Sequence, residues 1–531
     1  MKRSFPANRG QHVAQAMSSA SMGEVGDVLS FLDACPEAAP ELIDLIVEEG
    51  HRKKPRERLL EGYLTMLAHA LGFIRYRVER DMAEARGQVE TVRQRILAHG
   101  RAGDLDPAML LTILGQFGNA KLDVGDELRG FMGELLQTRF GAEAGTLDEH
   151  ALSQQWAHFA ELADGDVFAL HDHLREQAGA FPPEHRSAMA AAMIQADQAI
   201  VREATVGLLL DSESSVRLMV MAAIAGGVSG ALVTGTMLRR MIAMRNWLPA
   251  AERPGLDNVI RAARKAGLEC AAWPASQVQE VVASAFDGSG AQSLFVVARD
   301  GRKYAVAALL VKQGIGVRDA WVQRGLSRRE SGALLAQVAG QINFSAVTLD
   351  HVRAVTKHFL AVGAAAGVMP PFGLIDVAET IGMSDLNPAD WPIEEALDAW
   401  LAEAGLANRT SEATSRLIED SARWSETHPF TETWFEHDGE VDALLGSRRA
   451  SRKRRTALVV GELLPQRRRK WAELIGWTAV TLKADKTGQG WEAFAVVARE
   501  LLADRSLTEF PIMRDIADRT VEAHADHAAR A

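Results

Sequence analysis

Short stretches with an apolar stripe at helical spacing, separated by glycine and proline, recur along most of this chain. In one of them, Leu42, Leu45 and Ile46 follow the i, i+3, i+4 spacing that buries one side of a helix. Residues 256–266 repeat the same spacing further along the chain. Glycines suited to helix ends lie between many of these stretches. This recurrence of short amphipathic stretches predicts a mainly α fold built from antiparallel helical hairpins.

The pattern changes after residue 273. Residues 293–311 contain two apolar, β-branched runs on either side of Asp300-Gly301, and residues 316–322 form a third run. Apolar runs that flank an Asp-Gly pair are typical of a β-hairpin, because the two residues accept the positive φ angles of a tight turn. We therefore expect a small α/β insert, containing a β-hairpin, near residues 273–325.

The chain resumes its helical pattern after the insert. Ser327 and Glu330 have the spacing of a capping box, which predicts the start of a helix. At 531 residues, with 47 % hydrophobic residues, the chain can bury more than one core, so disorder is not its dominant state. The predicted regions are a flexible tail (1–20), a helical-hairpin array (21–272), the insert (273–325), a helical region (326–446) and a C-terminal helical region that starts with basic residues (447–531).

Residues 208–217, with the sequence LLLDSESSVR, carry a resemblance to a known family. They resemble the turn and second-helix start of a HEAT-like repeat, in which an aspartate closes a short turn and a Val-Arg pair begins the next helix. The matching positions are Asp211, Val216 and Arg217. The resemblance covers about ten residues. It implies an α-solenoid and a role in binding other proteins.

Residues 218–238 contain no charged side chain. A bilayer core needs about 20 predominantly apolar residues, so this segment is long enough for a membrane helix. The alternative is two buried helices broken at 226–230. The abundance of Ala, Gly, Ser and Thr and the lack of flanking aromatic belts favour the buried helices. No apolar run follows the N-terminal residues as in a secretory signal, so we predict a cytoplasmic protein that is not bound to a membrane.

The strongest local charge anomaly is a basic segment near the C-terminus. Its cations have one acidic neighbour, Glu462, and are followed by Trp471 and Trp477. Clustered cations beside aromatic rings could hold phosphates and stack bases. The alternative is a helix face that pairs with the acidic stretch 376–403, with the tryptophans as core anchors. The candidate binding residues are Arg448, Arg449, Arg452, Lys453, Arg454, Arg455, Arg467, Arg468, Arg469 and Lys470.

Charge and cysteine content exclude several classes of protein. The net charge of −11 argues against general binding to nucleic acids or membrane surfaces. The two cysteines, Cys35 and Cys270, are far apart, which excludes a disulfide scaffold and any site built from several cysteines. The composition, rich in alanine and arginine, is typical of a GC-rich bacterial coding sequence.

The sequence predicts neither a metal nor a cofactor. His171 and His173 are close in sequence, but on a helix they point about 200° apart and cannot share one ion. The chain has no HExxH, no GxxxxGK[ST] and no GxSxG. Catalytic residues are therefore not assigned.

These observations lead to three functional hypotheses. The first is a non-enzymatic protein–protein interaction or scaffold protein whose partner is another protein. The second is a protein that associates with nucleic acids through residues 448–470. The third is an enzyme whose site is assembled from scattered residues without a recognisable motif.

Overall fold

The computed structural model describes residues 38–82, 84–140, 149–339, 343–446, 451–486, 488–503 and 505–530. These residues form a mainly α-helical fold with one small antiparallel sheet, as the sequence predicts. The predicted tail at 1–20 lies outside the described residues.

The described residues form two compact units. The first contains the residues up to Val201 together with His437–Ala443 and 525–530. The second contains Arg202–Glu436 and Leu444–His524. The two units are defined by contacts within the folded chain. The five regions predicted from sequence were defined by changes in sequence pattern, and their boundaries stay predictions.

The first unit is a set of helices joined by short connections. Asp106 begins one of them by accepting a hydrogen bond from the backbone N–H of Met109, and Pro107 stands at its first position, where no N–H is needed. Apolar stripes such as that of Leu42 and Ile46 are completely buried in the core. The helices are α1 (Ala38–Gly50), α2 (Glu57–Glu79), α3 (Ala85–Ala102), α4 (Pro107–Asn119), α5 (Asp126–Phe140), α6 (Glu149–Leu162), α7 (Val167–Ala178) and α8 (Pro183–Ile194).

Four helices lead from the first unit to the sheet: α9 (Ala199–Thr205), α10 (Ser214–Ser229), α11 (Gly235–Met244) and α12 (Arg253–Lys265). The uncharged segment 218–238 is divided between α10 and α11. Helix α10 continues through Gly226 and Gly227 to Ser229, because a helical glycine costs only about 1 kcal/mol relative to alanine, so the break begins at Gly230, the last residue of the predicted range 226–230. Thr234 then caps α11. Among the described residues, no helix has the length and apolar character needed to cross a membrane.

The sheet is an antiparallel meander with a short fifth strand. Its strands are β1 (Gln277–Ser284), β2 (Ala291–Asp300), β3 (Lys303–Lys312), β4 (Gly316–Leu326) and β5 (Phe344–Ala346), in the spatial order β4-β3-β2-β1-β5. Asp300 pairs with Lys303, and Gly301 has a φ of +58°, which confirms the predicted hairpin turn. The sheet extends beyond the predicted limit of 325 because β5 joins the free edge of β1. Three residues are too few to show a strand period in sequence.

Helices cover the sheet on both faces. Helix α13 (Arg328–Ala339) packs through Leu335 against Phe295 and Val306. The Ser327 capping box predicted from sequence is present, with the Ser327 N–H donating to Glu330 and the Glu330 N–H donating to the Ser327 hydroxyl. Helices α14 (Leu349–Ala366) and α15 (Gly373–Ile381) pack against β3 and β4.

The C-terminal half of the second unit is an aromatic-rich helical assembly. Trp424 and Phe494 stack with their ring centroids 3.9 Å apart, and Trp434 lies completely buried beside them. The further helices of this half of the chain are α16 (Ile393–Glu403), α17 (Glu412–Asp420), α18 (Trp424–Thr427), α19 (Gly439–Leu445), α20 (Arg452–Leu458), α21 (Arg468–Ala484), α22 (Trp491–Leu502) and α23 (Pro511–Arg530). Residues 439–443 of α19 and 525–530 of α23 belong to the first unit. Helices α21 and α22 form a closely packed hairpin.

Candidate functional site

Two cations of the predicted basic segment lie on a buried carboxylate. Glu436 is 2 % exposed, and its Oε2 accepts hydrogen bonds from Nη1 of Arg467 and Nζ of Lys470, both at 2.7 Å. Its Oε1 accepts one from the indole of Trp471 at 2.8 Å. Nothing around Glu436 in the sequence signals this role, because burial between distant elements creates it.

The next cations of the segment also have partners within the protein. Arg468 donates to the backbone carbonyls of Leu501, Ala503 and Arg505, where α22 ends. The dipole of a helix favours a cation at this end. Arg469 pairs with Glu473 and with Glu394, which belongs to the acidic stretch predicted as its counterpart. Each of residues 467–470 therefore has a hydrogen-bond or ion-pair partner within the second unit.

The earlier part of the basic segment begins α20. Arg452 pairs with Glu522, and Arg455 makes a further interaction. Lys453 and Arg454 are exposed and form no ion pair with any described residue. Arg448 and Arg449 lie outside the described residues. A nucleic-acid site on this segment therefore rests on a few of the ten candidates, and it stays a prediction.

The tryptophans that follow the basic residues are buried. Trp471 is fully inaccessible and Trp477 is 3 % exposed, as expected for core anchors. The ring of Trp477 packs 5.7 Å from that of Phe359. Neither ring presents a face on which a base could stack.

Buried ion pairs also join helices of the second unit. Glu379 on α15 accepts hydrogen bonds from Arg239 and Arg240, and the pKa of its carboxyl is lowered because these arginines outweigh the effect of burial. Arg217 binds Glu252 through two hydrogen bonds and also donates to the carbonyl of Asp211 in the turn before α10. These groups are paired with each other, so they serve the fold.

The histidines discussed from sequence do not converge. His171 is buried on α7, whereas His173 on the same helix is exposed, in agreement with their opposite directions. Among the residues that the structure describes, no group of three His, Cys, Asp or Glu side chains could hold a metal ion.

A cavity of about 220 Å³ lies within the second unit and is partly open to solvent. One wall comes from β5, a second from the turn at Thr427–Phe430, and the floor from Thr478, Thr481 and Leu482 of α21. Apart from His428, none of its lining residues is titratable. Sequence reasoning missed this site because its walls come from segments that are far apart in the chain.

The His428 side chain is held firmly at this cavity. Its ring packs edge-on against Phe494 at a centroid distance of 5.0 Å. Its backbone N–H donates to the carbonyl of Trp424, and its carbonyl accepts from Thr431. Burial lowers the pKa of the imidazole, so the ring is neutral at pH 7.

Helix α10 has an exposed apolar face. Leu218 is 48 % exposed and Met219 is 52 % exposed, one turn before the exposed Ala222 and two turns before Gly226. The one charged side chain on α10, Arg217, is buried and bound to Glu252. We define the apolar face of α10 as Leu218, Met219, Ala222, Ala225 and Gly226.

Comparisons with known proteins give similarity without an activity. Three families match consecutive stretches: a Y4lR second domain at residues 182–267, a domain of unknown function (DUF7401) at 274–394, and a Y4lR C-terminal helical domain at 394–525. The chain is 26 % identical over 540 residues to "Uncharacterized protein y4lR" of Sinorhizobium fredii (strain NBRC 101917 / NGR234), covering 98 % of this chain and 94 % of that protein. No solved structure matches.

Proposed function

We propose that this chain is a scaffold protein that works through contacts with other protein chains, and that the apolar face of α10 is a contact surface. The observation that carries the proposal is the exposure of Leu218 and Met219 on a helix with no free charge. Adjacent, half-exposed apolar side chains on an uncharged helix favour burial against another protein. The HEAT-like resemblance of residues 208–217 supports the same class of function.

The occupant that fits this face best is a second copy of the chain. If two α10 helices pair antiparallel about a two-fold axis at Ala222, residue 218 lies opposite 226, and residue 219 lies opposite 225. Leu218 then meets Gly226, and Met219 meets Ala225, so that each large side chain faces a small one. A two-fold contact requires this kind of self-complementary surface.

Charge supports the same arrangement. Arg217 contacts Glu252, and the sulfur of Met221 lies 3.0 Å from the position of a Cβ on Gly255, so α10 and α12 run in the same direction. Acidic residues precede α10, namely Asp211 and Glu213, whereas α12 ends with Arg264 and Lys265. An antiparallel pair brings the acidic start of one copy toward the basic end of the other.

The test is the oligomeric state across a concentration series. Stable interfaces bury about 1,200–2,000 Å², more than one helix face provides, so we expect a weak dimer whose population rises with concentration. Sedimentation equilibrium should show this dimer for the wild type and a monomer for Leu218→Glu. Leu162→Glu is the matched control, since Leu162 is 65 % exposed on α6. A weak dimer has a dissociation constant on the order of 100 µM. A wild type that stays monomeric up to about that concentration would contradict the proposal.

A further inference from the structure

Five cations cluster at one end of the sheet. Asp300 of β2 pairs with Lys303 of β3. In the next row, Tyr304 of β3 lies between Arg299 of β2 and Leu326 of β4. Neighbouring strands are about 4.8 Å apart, so the ends of these three strands lie within about 10 Å. Helix α13 begins two residues after β4. We define the basic patch of the sheet as Arg299, Arg302, Lys303, Arg328 and Arg329.

The cations of the basic patch have no acidic partner, unlike the paired cations of the basic segment. All five side chains are exposed, and none forms an ion pair with a residue that the structure describes. Arg299 donates to the carbonyl of Gly301 in the hairpin turn. The acidic side chains beside the patch are Asp300, Glu330 and, on β1, Glu280, so the patch keeps an excess of positive charge. Such a patch attracts an anion from solution.

An exposed aromatic ring lies on the same part of the sheet. Of the eleven tryptophans in the chain, all of which the structure describes, only Trp321 of β4 is exposed, at 38 %. Ala308 lies opposite Trp321, and Tyr304 lies opposite Arg299. Ala308 and Tyr304 are four positions apart on β3, so all four residues lie on one face of the sheet. From Trp321 to the end of β4 the strand is about 16 Å long.

A chain of phosphates that also carries flat rings fits this combination. Four of the five cations are arginines, whose planar guanidinium groups bind phosphate oxygens through two hydrogen bonds at once. An exposed indole is a surface on which any unpaired base can stack. An acidic peptide has no base for Trp321. A membrane is a poorer match, because the turn at 300–302 has no apolar side chain to enter a bilayer.

We propose that the basic patch and Trp321 form a binding site for single-stranded nucleic acid. The site is separate from the basic segment 448–470 and independent of the apolar face of α10. Backbone phosphates lie on the five cations, and a base stacks on Trp321. Because these two parts are about 16 Å apart, the ligand is an oligonucleotide and not a single nucleotide. Contacts to phosphates and base faces carry little sequence information, so both RNA and DNA bind.

Binding is measured on the full-length protein with labelled oligouridine and oligothymidine of about ten residues each. Fluorescence anisotropy should give a Kd on the order of 10 µM in about 50 mM salt. Each phosphate neutralised on a single strand contributes about −0.7 to the slope of log affinity against log salt, so five cations give a slope no steeper than about −3.5. The intrinsic tryptophan fluorescence should fall during the titration, because a base covers the exposed indole.

Arg328→Glu/Arg329→Glu tests the cations. Acidic residues are favourable in the first turn of a helix, so this variant should retain its fold. Its affinity for either oligonucleotide should fall at least roughly tenfold, and the salt slope should become shallower by about 1.4, because two phosphate contacts are lost. Lys53→Glu/Lys54→Glu is the matched control, since it makes the same charge change at two exposed lysines of the first unit. It should lower the affinity by less than about threefold.

Trp321→Leu tests the stacking. Leucine keeps an apolar side chain at this position but has no flat ring. Stacking contributes about 1–3 kcal/mol per base, so the affinity should fall roughly fivefold or more while the salt slope stays the same. The fall in tryptophan fluorescence on binding should largely disappear. Trp400→Leu, at a partly exposed tryptophan on α16, is the control and should retain both the affinity and the fluorescence change.

Four results would overturn the proposal. The first is no saturable binding of either oligonucleotide up to about 1 mM in about 50 mM salt. The second is a loss of affinity in Lys453→Glu/Arg454→Glu but not in Arg328→Glu/Arg329→Glu, because the basic segment would then be the site. The third is a duplex of the same length that binds as tightly as the single strands, since its paired bases cannot stack on Trp321. The fourth is equally tight binding of oligoglutamate or of phosphatidylserine vesicles, which would show that the patch recognises negative charge alone. If Trp321→Leu does not fold, the charge variants and these competitors still decide the question.

Discussion

The indole Nε1–H of Trp471 donates a hydrogen bond of 2.8 Å to Oε1 of Glu436, which is 35 residues earlier in the chain. The same carboxylate accepts from Arg467 and Lys470 through its other oxygen. One buried acidic side chain thus fixes the start of α21 by three contacts. This arrangement explains why part of the most basic stretch of the sequence lies inside the fold.

Glu436→Gln should destabilise the protein by about 3 kcal/mol. The neutral amide leaves two cations with no opposite charge, and breaking a buried pair costs about 3–5 kcal/mol; Lys470 is 35 % exposed, which places the effect at the low end. Urea unfolding measures the change. Glu462→Gln, at an exposed position, is the control and should change stability by less than about 0.5 kcal/mol. Equal stability of the two variants would show that Glu436 does not hold α21.

Gly226→Leu should separate folding from self-association. A Cβ at Gly226 meets nothing within 4 Å, and leucine has the better helix propensity, so the monomer should become more stable by up to about 1 kcal/mol. The same side chain collides with Leu218 of the second copy, so the dimer should disappear in sedimentation equilibrium. Gly87→Leu, at another exposed helical glycine with open space around it, should leave association unchanged. A dimer that survives Gly226→Leu rules out pairing about Ala222.

His351 should make the protein less stable in acid. Burial lowers the pKa of this imidazole to about 4, from an ordinary value of 6.5, and its Nε2 has no hydrogen-bond partner. The unfolded chain therefore binds a proton between these two pH values while the folded chain does not. Stability contributed by the neutral ring is complete above pH 6.5 and is lost as the pH falls, by about 2 kcal/mol between pH 7 and pH 5. In urea titrations at both pH values, His351→Leu should lose about that much of the pH dependence; an unchanged slope would contradict the assignment.

His99 should have the opposite effect, and it lies in the other unit. Burial alone would lower its pKa, but hydrogen bonds of 2.9 Å to Asp44 and to Asp104 outweigh burial and raise the pKa. The folded state then holds a proton that the unfolded chain releases. The resulting stability is complete below pH 6.5 and is lost as the pH rises through the folded value. NMR titration of the His99 ring should give a midpoint above 6.5, and His99→Gln should remove the loss of stability at higher pH. A midpoint below 6.5 would mean that folding lowers the pKa of His99, and the predicted pH dependence of stability would then be wrong.

Nucleic-acid binding by the basic segment should depend less steeply on salt than ten free cations would give. Lys453 and Arg454 form no ion pair with a described residue, and Arg448 and Arg449 lie outside the described residues, so the expected slope is calculated for these four cations. Each neutralised phosphate contributes about −0.9 to the slope of log affinity against log salt for duplex DNA, so the slope should be no steeper than about −4. A fluorescence-anisotropy salt series on a labelled duplex measures it. A slope near −9 would mean that Arg467, Lys470 and the other paired cations leave their partners to bind DNA. Lys453→Glu/Arg454→Glu should reduce any binding, whereas the matched control Lys53→Glu/Lys54→Glu, which makes the same charge change at two exposed lysines outside the segment, should reduce it much less.

Local features of the sequence determined much of the fold. The capping box at Ser327, the hairpin turn at Asp300-Gly301 and the apolar stripe at Leu42 and Ile46 depend on residues within four positions of each other. Such patterns fix hydrogen bonds and one-sided burial without reference to the rest of the chain. The helical class and the β insert follow from them.

The tertiary structure alone decided which side chains pair and which surfaces stay exposed. Glu436 is the counter-ion of Arg467 and Lys470, and β5 pairs with the edge of β1. His428 and Thr478 line the same cavity. The residues in each contact are far apart in the chain, so no local sequence pattern predicts them. The apolar face of α10 is a similar case, since its sequence predicts burial and only the packing of its neighbours leaves Leu218 outside. Charge, hydrogen bonding and exposure at these sites depend on distances in space, and a sequence specifies those distances only after the chain has folded.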